Sequence, residues 1–237
     1  MKNFVFYPGF VWFLFFSLYS FSQSYNFPVK PGDDAWKALK TGAEKYEVCQ
    51  IPEVLLSKIN TKDLISTNLD YPLLSTIMAY GTVQEGYEKL TLKFNGLQEL
   101  IKRKDAGVHL LNFYSKMNPD AIANRPSLVE KGRFSFEMQF IEILLAQTTI
   151  LGQLSMTDRN QLVSICIEKQ ALKRKNAEYF GLAGEASTIR IIGRIMEIGR
   201  SSTDRSSLSP ERKLFLEEGV IVDFSVAEGI LSEAKKL

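Results

Sequence analysis

Leu128-Val-Glu-Lys-Gly-Arg-Phe-Ser-Phe-Glu-Met-Gln-Phe-Ile-Glu-Ile-Leu-Leu-Ala-Gln-Thr-Thr-Ile-Leu-Gly-Gln-Leu154 is the most apolar stretch beyond the chain's first residues. Past Arg133 it contains no Lys or Arg. Phe136, Phe140, Leu144, Thr148 and Leu151 recur at helical spacing along one side. Ser135, Gln139, Glu142, Ala146, Thr149 and Gln153 form a second stripe, polar but almost uncharged. A helix with so little charged surface is packed on most sides by others. The segment 128–154 therefore reads as one central helix, and Glu137 and Glu142 within it argue against a membrane span.

Working outward, helical pattern continues on both sides. Before it, Val83 to Phe94 and Leu97 to Met117 read as helices divided by Asn95-Gly96, the second carrying a charged turn at Lys102, Arg103, Lys104 and Asp105. Earlier still lie short helices punctuated by Pro and Gly. Asp33 or Asp34 caps Ala35 to Leu39, and Gly42 opens a helix to Gln50. Pro52 starts a helix to Ile59 with Val54, Leu55 and Ile59 inward, and Thr61 caps Lys62 to Asn68. Tyr71-Pro72 begins another, with Leu73, Leu74, Ile77 and Met78 as its stripe. The faint recurrence of Pro52-Glu-Val-Leu-Leu-Ser-Lys-Ile in Pro72-Leu-Leu-Ser-Thr-Ile hints at stacked helix pairs.

After the central helix, Thr157 or Asp158 caps a helix from Arg159 to Tyr179, whose Lys169, Lys173, Arg174 and Lys175 suit the negative end of its dipole. Gly181 and Gly184 separate it from Glu185 to Arg200. A Ser-rich loop fills 201–209, Pro210 opens a helix to Glu218, and Val222 to Lys236 ends the pattern. Val220 to Phe224 is the one strand-like run, and its helical surroundings favour a helix start. The fold class expected is all-α: stacked helix pairs in an armadillo-like or irregular bundle.

The first residues belong to a different category. Lys2 is the only charge before Lys30, and Phe4 to Phe21 is almost wholly apolar. A positive start, an apolar run and the small residues of Ser20-Phe21-Ser22 spell a secretory signal peptide over 1–22, cleaved to leave Gln23 first. The alternative is an uncleaved membrane anchor. The run is slightly short for a span of about 20 residues, and Pro8 and Gly9 interrupt it. Residues 23–33, with Pro28, Pro31 and Gly32, read as a linker. Residues 34–237 read as one helical domain, with a point of subdivision near 118–127. Localisation is expected to be periplasmic or extracellular.

Charge narrows the partners. The formal net charge is +2, with Lys2 contributing one unit. A mature chain so near neutrality has no field for nucleic acid or an anionic membrane. A membrane enters only if the first segment is retained. The two cysteines, Cys49 and Cys166, are read as buried thiols or as one bridge. With one histidine and no Cys-x-x-Cys, no metal site is expected.

The chain has no nucleophile elbow, phosphate loop or dinucleotide fingerprint, so no cofactor is expected. His109, one turn after Asp105, is a weak acid/base candidate or a helical histidine in a surface ion pair. Glu137 and Glu142 are acid/base candidates of the same rank, though their spacing puts them on different faces. Arg190 and Arg194 share a helix face with Glu197. Together with Arg200, Asp204 and Arg205 they form a candidate binding surface, for an anion or a partner, or else a solvated face.

Cys49-Gln-Ile-Pro52, Thr61-Lys-Asp-Leu64, Tyr71-Pro-Leu-Leu74, Phe94-Asn-Gly-Leu-Gln-Glu-Leu100 and Arg103-Lys-Asp105 resemble a group of exported bacterial proteins of unassigned activity. The resemblance covers 36–114 and implies bacterial export and a helical body, with no catalytic residue to carry over. The reading favours a non-enzymatic protein- or peptide-binding or structural module of the cell envelope. The rivals are a helical-scaffold enzyme using carboxylates with His109, and a membrane-tethered factor. A pocket joining His109 to Glu137 or Glu142 would favour the enzyme. A broad groove along Arg190, Arg194 and 201–209 would favour binding.

Overall fold

A computed structural model describes residues 24–199 and 206–236, and every regular element among them is helical. In chain order these are α1 (Asp34–Ala38), α2 (Gly42–Val48), α3 (Glu53–Leu56), α4 (Thr61–Leu69), a 3-10 turn (Leu74–Ala79), α5 (Val83–Lys93), α6 (Asn95–Lys102) and α7 (Ala106–Lys116). A second 3-10 turn (Pro119–Ile122) leads to α8 (Leu128–Leu145), α9 (Thr148–Leu151), α10 (Met156–Lys175) and α11 (Ala177–Met196). The last two are α12 (Pro210–Glu218) and α13 (Phe224–Ala234). The signal-peptide reading of 1–22 lies outside the described residues, as do Arg200, Asp204 and Arg205.

The all-α expectation holds, in the form of an irregular bundle. Local chemistry sets most helix starts: Thr41, Asn60, Thr82, Ser127, Ser155 and Ser209 each accept a hydrogen bond from a backbone N–H in the first turn. Such a cap contributes about 1 kcal/mol. Two caps differ from the sequence reading. Asn60, rather than Thr61, caps α4, which frees the Thr61 hydroxyl to donate to the Asp105 carboxylate at 2.9 Å. Ser155 caps α10, with Asp158 completing a capping box at the third helical position.

The central segment is buried as its composition demands. Phe140 through Gln147 are all buried, so this part of α8 has no solvent side. It is shorter than 128–154, however. Gln147 turns to extended backbone, with φ −70 and ψ 135, and α9 starts afresh. The Gln147 side-chain amide donates to the Ile143 carbonyl at 2.7 Å, and Arg194 Nη1 donates to the Ala146 carbonyl at 2.7 Å. These donors satisfy carbonyls that a continuing helix would have used.

The long helix expected over 97–117 also breaks, at the charged turn. Arg103 leaves helical geometry and donates to the carbonyls of Ile59 at 2.6 Å and Leu56 at 3.2 Å. Arg103 and Asp105 thus clamp the α6–α7 corner onto the α3–α4 corner. The same geometry leaves α3 a single turn, and Val54 and Leu55 point outward, 67% and 44% exposed, against expectation. Met78 likewise faces solvent while Leu74 and Ile77 are buried.

Residues 24–33 form no helix, yet they are fixed to the body. Phe27 is buried among Tyr25, Tyr71 and Phe94, and the Tyr25 N–H donates to Thr67 Oγ1 at 2.9 Å. Gly86 permits the closest approach in this half: a Cβ there would lie 2.0 Å from the Ile77 carbonyl oxygen. In the other half α10 packs against α11, with Lys173 bonded to Thr188 and Gln170 to Glu185. Helix α11 changes direction at Gly181, where φ is +58.

Candidate functional site

The interior between α7, α8, α10 and α11 holds a charged centre. Glu142 and Lys173 are both wholly buried, with Nζ 2.6 Å from the carboxylate. Tyr114 and Thr188 hydroxyls donate to Glu142 Oε1 at 2.6 and 2.7 Å, and Ser187 Oγ donates to Oε2. Lys173 also donates to the Gly184 carbonyl at 2.8 Å and to Thr188 Oγ1 at 3.0 Å. A carboxylate offers about four acceptor positions and an ammonium three donors, and these contacts fill both. Burial, reinforced by the Glu142 charge, pushes the Tyr114 phenol well above its ordinary value.

This arrangement assigns Glu142 a saturated ion pair. Its partners were missed by the sequence reading, which placed Lys173 among cations at a helix end. The available signal was Glu142 itself, because a carboxylate in an apolar helix requires a cation or several donors. Cys166 lies in the same interior, and Cys49 in the N-terminal half; both are buried free thiols, so the bridge alternative does not form. Burial raises the Cys49 thiol to about 11.

Arg190 and Arg194 face inward as well. Arg190 is 3% exposed; Nε donates to the Leu216 carbonyl at 2.9 Å, and Nη2 donates to Gln84 Oε1 at 2.9 Å and to the Glu217 carbonyl. Arg194 donates to the same two carbonyls at 2.7 and 3.0 Å. The pair thus caps the C-terminus of α12, where unsatisfied carbonyls and the helix dipole favour cations. The expectation of a solvated Arg face is corrected by this packing. Burial first, and the Arg194 charge second, pull the Arg190 guanidinium down to about 9.

His109 and Glu137 meet across an open groove of about 720 Å³. His109 Nε2 lies 3.4 Å from Asp105, one turn away, and Glu137 accepts from Arg133 Nε at 2.6 Å. Glu142 does not line this groove. Phe113, Met117, Ala121 and Phe134 supply its apolar floor; Lys62, Lys116 and Arg125 supply cations, with Arg125 stacked 4.7 Å over the Phe134 ring. The groove runs between α4, α7 and α8, away from Arg190 and Arg194.

Among the described residues no group of three His, Cys, Asp or Glu side chains is placed to hold a metal ion, and no helix is long and apolar enough to cross a membrane. Comparison of the chain with protein-family profiles, curated proteins and solved structures gives no significant match.

Proposed function

We propose that this protein is a non-enzymatic binding module of the bacterial cell envelope, which holds an acidic peptide segment with apolar anchors in the groove between α4, α7 and α8. One observation carries the reading: an apolar floor is edged by the cations Lys62, Lys116 and Arg125, while Glu137 is already paired with Arg133 and His109 with Asp105. Apolar side chains of a partner would bury against Phe113, Met117 and Phe134, while acidic ones would meet the cationic rim. The interior groups with chemical potential, Glu142, Lys173, Tyr114 and Thr188, are spent on one another, which supports binding over turnover.

The test is fluorescence anisotropy of a labelled peptide of alternating Asp and Leu, added to the mature protein. The reading expects saturable binding, lost with Asn in place of Asp. Lys116→Glu and Arg125→Glu should each weaken it roughly two- to fivefold, as exposed charge pairs do. Binding indifferent to both reversals sinks the assignment. Export is part of the proposal: mass spectrometry of protein recovered from its own cells should find Gln23 first, whereas an intact Met1 favours the tethered factor.

A second reading, a helical-scaffold enzyme, draws on His109 and Glu137 lining one groove. It requires the bound peptide to be cleaved, and His109→Gln to stop the cleavage.

A further inference from the structure

A smaller and more enclosed space lies on the other side of α8. Ala183, Ala186, Ser187 and Arg190 form one stripe of α11, and Gln139, Glu142, Ile143 and Ala146 the facing stripe of α8. The small side chains of Ala146, Ala183, Ala186 and Ser187 leave space between the helices unfilled, a cavity of about 40 Å³ closed over by Phe215, Gly219 and Ile221. At about 10–15 Å³ per water, it has room for roughly three waters, or for a molecule of a few heavy atoms.

Arg190 stands at one end of this cavity, and its environment is unusual for a buried cation. Among the described residues no carboxylate lies within ion-pair distance of it, and its acceptors are two carbonyls and the Gln84 amide. All three are taken by Nε and Nη2, which leaves both N–H groups of Nη1 without an acceptor among the described residues. Arg194, a turn away, adds a second positive charge. The Glu218 carboxylate offsets these charges only in part; a buried cation with no directly paired carboxylate is costly, and a positioned anion repays the cost. Gly219 keeps the approach open: it sits at φ +75, and a Cβ there would come 3.5 Å from Nη1.

The opposite wall sets the ligand's other properties. Glu142 lines the cavity, so a second negative charge would be repelled; its own charge is balanced by Lys173. The remaining surface is mostly apolar, from Val83, Ile143, Ala186, Phe215 and Ile221.

We propose that this cavity binds a monocarboxylate of acetate size, with its carboxylate on Arg190 Nη1 and its methyl group against Ile143, Ala186 and Phe215. The site is separate from the peptide groove and does not depend on it. Arg190, Gln84 and the α12 carbonyls are joined by hydrogen bonds, so the ligand reinforces the contact between α5, α11 and α12.

The experiment is calorimetric titration of the full mature protein with sodium acetate, beside sodium chloride and ethanol as arms that carry only charge or only the alkyl end. The expected result is saturable acetate binding, with the two controls at least tenfold weaker. Ala183 is exposed at the lip, so Ala183→Leu should block entry and cut affinity at least tenfold with an unchanged circular-dichroism spectrum. Arg190→Lys should weaken it similarly; if that variant does not fold, Ala183→Leu still decides. Absence of saturable acetate binding, equal binding of chloride or ethanol, or full binding by Ala183→Leu would each overturn the proposal.

Discussion

Replacing Lys173 with Met tests the charged centre directly. Methionine fills most of the same space, so packing is nearly kept while the ammonium goes. The variant loses Nζ contacts to both Glu142 oxygens, to the Gly184 carbonyl and to Thr188 Oγ1. Glu142 is then a wholly buried carboxylate without a cation. Breaking such a pair costs about 3–5 kcal/mol. The hydroxyls of Tyr114, Ser187 and Thr188 still donate to the carboxylate, which places the cost near the lower end, about 3 kcal/mol. For a chain of this size that corresponds to a fall in melting temperature of roughly 6–12 °C. Urea unfolding of the protein, followed by far-ultraviolet circular dichroism, measures it. The double variant Lys173→Met, Glu142→Leu removes both charges and should recover at least half of the loss, because an apolar pair avoids the desolvation that the ions suffer. A single variant within about 1 kcal/mol of the parent, or a double variant worse than the single, would refute the account of this centre.

Gly86→Ala should cost about 3 kcal/mol or more, since its Cβ would meet the Ile77 carbonyl. Gly132→Ala, in open space within α8, should instead stabilise by about 0.5–1 kcal/mol in the same urea assay. Both thiols should resist a thiol reagent in the native protein and react as two on unfolding. The folded Cys49 thiol keeps its proton to about 11, against an ordinary 9.0. Its contribution to stability is therefore complete below 9.0 and lost as pH rises from there to about 11. Cys49→Ala should show a shallower decline than the parent across that window in pH-dependent urea titrations.

Period and punctuation carried much of the fold. The apolar spacing of 128–154 marked the element that runs through the centre, and Ser209-Pro210 and Gly219 bracket α12 where their chemistry places them. What periodicity could not see were tertiary clamps. Arg103 looked like part of a charged helical turn because nothing local announces that its partners are the Leu56 and Ile59 carbonyls. The break at Gln147 has the same origin, since the Arg194 donor to Ala146 comes from 48 positions away. The candidate residues fared similarly. Side-chain type showed that Glu142 and Arg190 were noteworthy. Only the packing of α8 against α11 showed that one is neutralised by Lys173 while the other ends at a cavity.

Phe27 gives the segment before α1 a role beyond connection. Its ring closes over a stacked pair, Tyr71 and Phe94, whose centroids are 3.8 Å apart. Trimming the protein back to Asp34 would uncork that aromatic nest, wet the Tyr71 and Phe94 rings together and strip α4 of the Tyr25 N–H that Thr67 accepts. Expression boundaries and affinity tags should respect this: a cut at the first helix removes the plug.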